Sequence, residues 1–143
     1  MAGPEAWWQR AKEEIGAAHE LRATGKRVQA YHHAGQAIEF ALKAIYMKRK
    51  GLSDWPAAYK GATWHSLPHI AHEAGLDGEV AALRVNKADR GKYQNWLTVR
   101  GWDSNGRFPG NTPSVKEIND LMLAVSHNPD GIMAWLDGIY QKI

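Results

Sequence analysis

The sequence predicts an all-α protein, a bundle of about five to six helices joined by turns. Three observations predict it. Apolar residues recur at three- and four-residue spacing in each long segment. Glycines and prolines fall between those segments, where they start and stop helices. No stretch reads as a clear strand, an internal repeat or a low-complexity tract.

The first helix is expected from about Pro4 to Arg22. Pro4 suits a first turn, and Glu5 suits the positive end of the helix dipole. Trp7, Trp8, Ala11, Ile15 and Ala18 supply the apolar stripe, and Thr24-Gly25 ends it. The second helix begins near Lys26 and contains YHHAGQAIEFALKAIYMKRKG, residues 31–51. Tyr31, Ala34, Ile38, Ala41, Leu42 and Ile45 form its apolar stripe. Glu39 and Lys43 pair at i,i+4 on a neighbouring face, in the favourable order. Lys48, Arg49 and Lys50 complement the negative C-terminal end, and Gly51 is a C-cap. Residues 52–63 read as a loop, with Asp54, Pro56 and Gly61 as breakers.

A short helix follows, about Ser66 to Ala74, with Pro68 in its first turn and Gly75 after it. Asp77 is a cap candidate for a fourth helix, about Gly78 to Asp89, which Gly91 interrupts and Tyr93 to Val99 resumes. The run RGWDSNGRFPGNTP, residues 100–113, is a long glycine-, asparagine- and proline-rich loop, and long loops in compact domains are often functional. Ser114 and Glu117 make a capping-box pattern ahead of Val115, Ile118, Leu121, Met122 and Val125. HNPDG, residues 127–131, breaks that helix, and a terminal one follows with Ile132, Trp135, Leu136 and Ile139.

Composition bounds the function. The length of 143 residues suits one domain spanning 1–143. Apolar residues at 44% and charged residues at 23% allow a core and argue against extensive disorder. With no cysteine, disulfides, thiolate metal sites and a cysteine nucleophile are excluded. The N-terminus lacks a signal-peptide pattern, and no stretch approaches the ~20 apolar residues of a membrane span. A cytoplasmic protein without membrane contact is expected. Net charge +3 and a pI of about 9.2 are compatible with nucleic acid or nucleotide phosphate. The seven tryptophans serve either a core and a subunit interface or stacking on bases.

The second helix resembles the helix that marks HEPN domains, the higher-eukaryote and prokaryote nucleotide-binding family. Its A-I-E-x-x-L-K-A core is Ala37, Ile38, Glu39, Leu42, Lys43 and Ala44. A histidine before a short helix, His65-Ser66-Leu67, fits the family order, as does Arg107-Phe108-Pro109 in place of its Arg-Tyr-Pro segment. The resemblance covers residues 26–140 and implies an up-and-down, HEPN-like helical bundle, usually dimeric. It implies one of several roles: an RNA-cleaving toxin, an RNase of antiviral defence, or a catalytically silent module that binds nucleotides or a nucleotidyltransferase partner.

HEPN ribonucleases carry Arg-x(4–6)-His, which supports attack by the RNA 2′-hydroxyl by moving a proton and stabilising a phosphorane. Neither Arg100 nor Arg107 has a histidine in range. Arg27 with His32 or His33 fits the spacing, but at the start of the second helix, where Arg27 and His32 point roughly 140° apart. The alternative for His32 and His33 is a helix first turn with one imidazole packed and one in water. His65, His69 and His72 stand at i, i+4 and i+7 and are weak metal candidates, because Pro68 lies within the span and no further ligand is evident. Arg84, Lys87, Arg90 and Lys92, followed by Trp96, Arg100, Trp102 and Arg107, suit either a nucleic-acid surface or a solvated helix face over a tryptophan core.

The reading expected from the sequence is a HEPN-like domain that binds RNA or a nucleotide, without the standard nuclease motif, in a toxin–antitoxin, defence or mobile-element setting. No cofactor is expected. Arg100 and Arg107 would hold phosphate, Trp102 would stack on a base, and Asp103 would orient an arginine or a ribose hydroxyl. A homodimer through the late helices is expected from the resemblance. The alternatives are a metal-independent ribonuclease using Arg27 with His32 or His33, or Arg100 and Arg107, and a protein-interaction or inhibitor module.

Overall fold

A computed structural model describes residues 2–107 and 110–143, with Gly106 and Arg107 described by backbone alone. Among them there is no strand, and seven α-helices follow one another: α1 (Pro4–Ala23), α2 (Arg27–Lys50), α3 (Leu67–Glu73), α4 (Asp77–Val85), α5 (Arg90–Arg100), α6 (Val115–Ser126) and α7 (Ile132–Gln141). Short 3-10 turns occupy Ala62–His65, Lys87–Asp89 and Ser104–Arg107. The all-α class is as expected, with slightly more helices than five to six.

The extra helix comes from the segment after Asp77. The break falls at Asn86, whose extended backbone leaves the helix and whose side chain accepts from the Ala88 N–H at 3.0 Å. The expected interruption at Gly91 is absent. Gly91 instead lies inside α5, where Asp130 of the 127–131 turn occupies the space a Cβ would need. Asp77 is the first residue of α4 rather than its cap. The capping box at Ser114 and Glu117 forms as expected, with both reciprocal hydrogen bonds at 3.1 Å.

α1 and α2 form a helical hairpin, turned at Gly25, whose φ of 82° suits glycine. α2 is the central rod. It touches α1, α3, α6, α7 and the 3-10 turn at 104–107. Every residue of its expected apolar stripe is buried, and full burial of Ile38, Leu42 and Ile45 contributes roughly 1.5–3 kcal/mol each. The basic end of α2 binds other helices. Lys48 Nζ donates to the Tyr140 carbonyl in the last turn of α7 at 3.0 Å. Arg49 donates to the Ala74 and Gly75 carbonyls after α3, both at 3.0 Å, and pairs with Glu79. Cations thus satisfy carbonyls that helix ends leave open.

Two aromatic contacts fix the ends of the core. Trp8 stacks on Tyr140 at 4.5 Å, and the Tyr140 hydroxyl donates to Glu5 at 2.9 Å. Burial first, and then Glu5, push the Tyr140 phenol up to about 12. Trp102 lies flat over Gly35 of α2, so close that a Cβ on Gly35 would overlap indole atoms Cε2, Nε1 and Cδ2.

Gly35→Ala should therefore destabilise the protein by about 1–3 kcal/mol, as overpacking of a filled site does. Gly16→Ala, on exposed α1 with open space around the new methyl, should stabilise by about 0.5–1 kcal/mol. Urea denaturation of both variants checks the contrast. The raised Tyr140 pKa contributes stability fully present below pH 10, the unfolded value. That stability is lost as pH rises through about 12. Urea midpoints at pH 9 and above pH 10 should converge in Tyr140→Phe relative to wild type.

Candidate functional site

One face of α2 carries polar residues at helical spacing: His32, Gln36, Glu39 and Lys43. A helix normally turns such a face to water. Here two loops cover it. Glu39 is 3% exposed and Lys43 5%, and Lys43 Nζ donates to Glu39 Oε2 at 3.2 Å. The ammonium also lies over the Trp55 ring at 4.9 Å and the Trp7 ring at 5.4 Å. A buried charge pair is tolerable only when each member finds further partners, and these rings supply them for Lys43.

The first covering loop, after α2, is ordered by aromatic packing. Trp55 Nε1 donates to the Tyr59 carbonyl at 2.9 Å, Tyr59 stacks on Trp64 at 4.4 Å, and Tyr46 of α2 contacts all three rings edge-on. This cluster delivers His65 to the polar face, where its Nδ1 lies 3.1 and 3.2 Å from the two Glu39 oxygens. A carboxylate only accepts, so His65 donates from Nδ1, and Nε2 is the nitrogen left for other chemistry. Glu39 therefore holds the ring in one tautomer and orientation.

The second covering loop follows α5. The Tyr31 phenol is hydrogen-bonded to the Asp103 backbone, and burial foremost raises its pKa. Trp102, next in sequence, seats on Gly35 with its ring 5.8 Å from that of His32. Between the two loops lies a cavity of about 480 Å³, lined by His32, Gln36, Glu39, His65, Trp102, Ser104 and Asn105, with Gly61 and Ala62 at its edge. Its lining offers imidazole, amide and hydroxyl groups against one indole wall.

The residues singled out from the sequence divide among several places. His32 and Trp102 meet in this cavity. His33 turns to α1, where its Nδ1 bonds the buried Glu14, which also accepts from Arg10 at 3.1 Å. Arg27 is exposed at the start of α2 and is not among the cavity residues. Asp103 accepts from the Asn105 N–H at 2.8 Å through its side chain and so shapes the loop. Trp102 is 7% exposed and walls the cavity while pressed on α2. Arg100 lines a different cavity, of about 390 Å³, between α3, α4 and α5. The Arg107 side chain, Phe108 and Pro109 lie outside the described residues. His65, His69 and His72 part company: His65 bonds Glu39, His69 packs edge-on against Trp64 at 4.8 Å, and His72 bonds Asp77 at 2.6 Å. Among the described residues no group of three or more metal-ligating side chains is assembled.

Sequence reasoning missed Glu39 and Gln36 as site residues. The Glu39–Lys43 spacing marks an i,i+4 pair on the face beside the apolar stripe, and spacing alone does not show that loops cover that face. The available signal was the loop after α2, where Trp55, Tyr59 and Trp64 are too many aromatics for a solvated turn.

Comparison with known proteins bears on this geometry. A family model described as HEPN domain matches residues 4–57, which hold α1, α2 and the start of the aromatic loop. The similarity is to that family over this segment, which is less than half of the chain. The match includes Glu39 and Lys43 and extends further towards the N-terminus than the motif resemblance, taking in α1. At the level of the family it supports a domain related to nucleotide, RNA or nuclease chemistry. No curated protein and no solved structure matches the chain. No helix of the described residues is long and apolar enough to cross a membrane.

Removing one partner of the Glu39–Lys43 pair should be costly. Glu39→Leu is expected to lose about 3–5 kcal/mol, because the Lys43 ammonium is left buried without its carboxylate. The double variant Glu39→Leu with Lys43→Leu should lose clearly less. Equal losses in urea denaturation would mean that the two charges are not coupled.

Proposed function

We propose that this HEPN-type domain binds RNA or a nucleotide in the cavity between α2 and its two covering loops. The observation that carries this reading is the lining itself. Gln36, Ser104, Asn105 and the two imidazoles present donors and acceptors of the kind that read a base or ribose edge. Trp102 gives the cavity an apolar wall, and His65 is held in place by a buried carboxylate. Homodimerisation, a toxin, defence or mobile-element setting, and a nucleotidyltransferase or other protein partner follow from the family resemblance and belong to the same proposal.

Fluorescence anisotropy with a labelled RNA oligonucleotide tests it. Gln36→Ala and His65→Ala should each weaken binding by about tenfold, the scale of one or two lost polar contacts. Binding that neither substitution changes would refute this location.

A second reading is supported by one specific feature: two imidazoles, His32 and His65, line the same cavity, and Glu39 orients one of them. Such a pair is one way to cleave RNA without a metal. One ring accepts the 2′-hydroxyl proton as that oxygen bonds to phosphorus, and the other gives a proton to the departing 5′-oxygen. The products are a 2′,3′-cyclic phosphate and a free 5′-hydroxyl. Cleavage that persists in EDTA and is lost in both His32→Ala and His65→Ala establishes this reading. Binding without cleavage leaves the domain a binder.

A further inference from the structure

Glycine follows one asparagine in the chain, Asn105. That neighbour matters chemically. The backbone nitrogen of the next residue can attack an asparagine side-chain carbonyl, and a side chain on that residue crowds the approach. Glycine has no Cβ and the widest backbone freedom. Other asparagines are hindered. Thr112 after Asn111 is β-branched, and Pro129 after Asn128 has no N–H to lose. Asn95 and Asn119 lie inside α5 and α6, with side chains bonded to the Asp130 carbonyl and to Arg22.

The surroundings of Asn105 leave the reaction open. It is exposed and sits in a single 3-10 turn, Ser104–Arg107, outside the α-helices. Such turns have poorer hydrogen bonds than an α-helix, so less holds the backbone away from the conformation the attack needs. The contacts that steady this turn lie on its N-terminal side. Trp102 seats on Gly35, and the Asp103 carboxylate accepts from the Asn105 N–H at 2.8 Å. Asn105 also lines the histidine cavity, so a change in its side chain changes the cavity wall.

We propose that Asn105 is a site of spontaneous deamidation, and that the reaction installs a carboxylate on the wall of the histidine cavity. Hydroxide takes the Gly106 N–H proton as that nitrogen bonds to Asn105 Cγ. The Cγ–Nδ2 bond breaks, the nitrogen leaves as ammonia with a proton from water, and a cyclic imide remains. Water then adds to one of the imide carbonyls. Opening at Cγ gives aspartate, and opening at the backbone carbonyl gives isoaspartate, whose main chain runs through Cβ and Cγ. Water enters, ammonia departs, and nothing is oxidised or reduced. The lining already holds the Glu39 carboxylate, whose charge Lys43 compensates. Among the described residues the lining has no lysine or arginine to compensate a second one. The new charge therefore repels a phosphate-bearing ligand, and the domain loses affinity as the molecule ages. That consequence rests on the cavity being the RNA or nucleotide site; the chemical step does not.

Incubation of the full chain in mildly alkaline and mildly acidic buffer, then tryptic peptide mapping against an unincubated sample, tests the step. Cleavage after Arg100 and Arg107 isolates peptide 101–107 with Asn105, and peptide 108–116 carries Asn111, an exposed control from the same loop. Acid forms of 101–107 should accumulate with time, faster in the alkaline buffer, with isoaspartate in excess over aspartate, while Asn111 stays an amide. Gly106→Ala should slow the conversion severalfold, and Asn105→Gln should abolish it. Persistence of the Asn105 amide, equally fast conversion of Asn111, or aspartate without isoaspartate would overturn the proposal. Asn105→Asp reports the consequence without ageing: labelled RNA should bind it about tenfold more weakly than Asn105→Ala. Equal affinity of these two variants would refute the effect on the cavity. RNA that fails to bind even the fresh wild-type protein refutes the cavity reading, and the peptide map still decides the chemistry.

Discussion

Glu39 and Lys43 sit side by side on the most central helix, and α2 can bury them only because each is surrounded. Lys43 faces Glu39 on one side and the Trp7 and Trp55 rings on the other. Glu39 accepts from Lys43 and from His65. Taking an ion pair out of water costs several kcal/mol per charge unless such contacts offset it. The cost and its compensation explain much of the surrounding architecture. The loop after α2 must be aromatic, and it must end with a histidine within reach of the carboxylate. The hairpin of α1 on α2 must bring Trp7 over the pair.

α2 therefore does two jobs on two faces. Its apolar stripe organises the bundle, and its basic end closes the carbonyls of α3 and α7. Its polar stripe is withdrawn from solvent and becomes the floor of a cavity. The junction after α5 divides the surroundings. Arg100 faces the hollow between α3, α4 and α5, whereas Trp102, two residues on, faces α2. One short turn thus separates that hollow from the imidazole-rich one.

Most of the fold was legible in the sequence because it rests on local rules. Helical periodicity located α1, α2, α6 and α7, and the capping box at Ser114 fixed the start of α6. The error at Asn86 came from weighting glycine as a breaker. Gly91 stays helical because Asp130 needs the room, a tertiary contact that spacing does not encode. The site was less legible for the same reason. His32 and Trp102 were singled out, but their meeting depends on Gly35, and nothing local marks that glycine as a seat for an indole. His33 lies next to His32 yet belongs to a different contact, with Glu14. Adjacent helical residues point about 100° apart, so chain neighbours serve different surfaces.

The seat of Trp102 on Gly35 links two positions far apart in the chain through excluded volume alone. There is no charge or hydrogen bond in it to weaken by degrees. A side chain of any size at position 35 has to be met by a smaller ring at 102, and a smaller ring leaves a hole above the glycine. Divergence at the two positions is therefore constrained to occur together. A lineage that enlarges position 35 also reshapes the wall beside His32, so the contour of the pocket changes along with the packing that supports it.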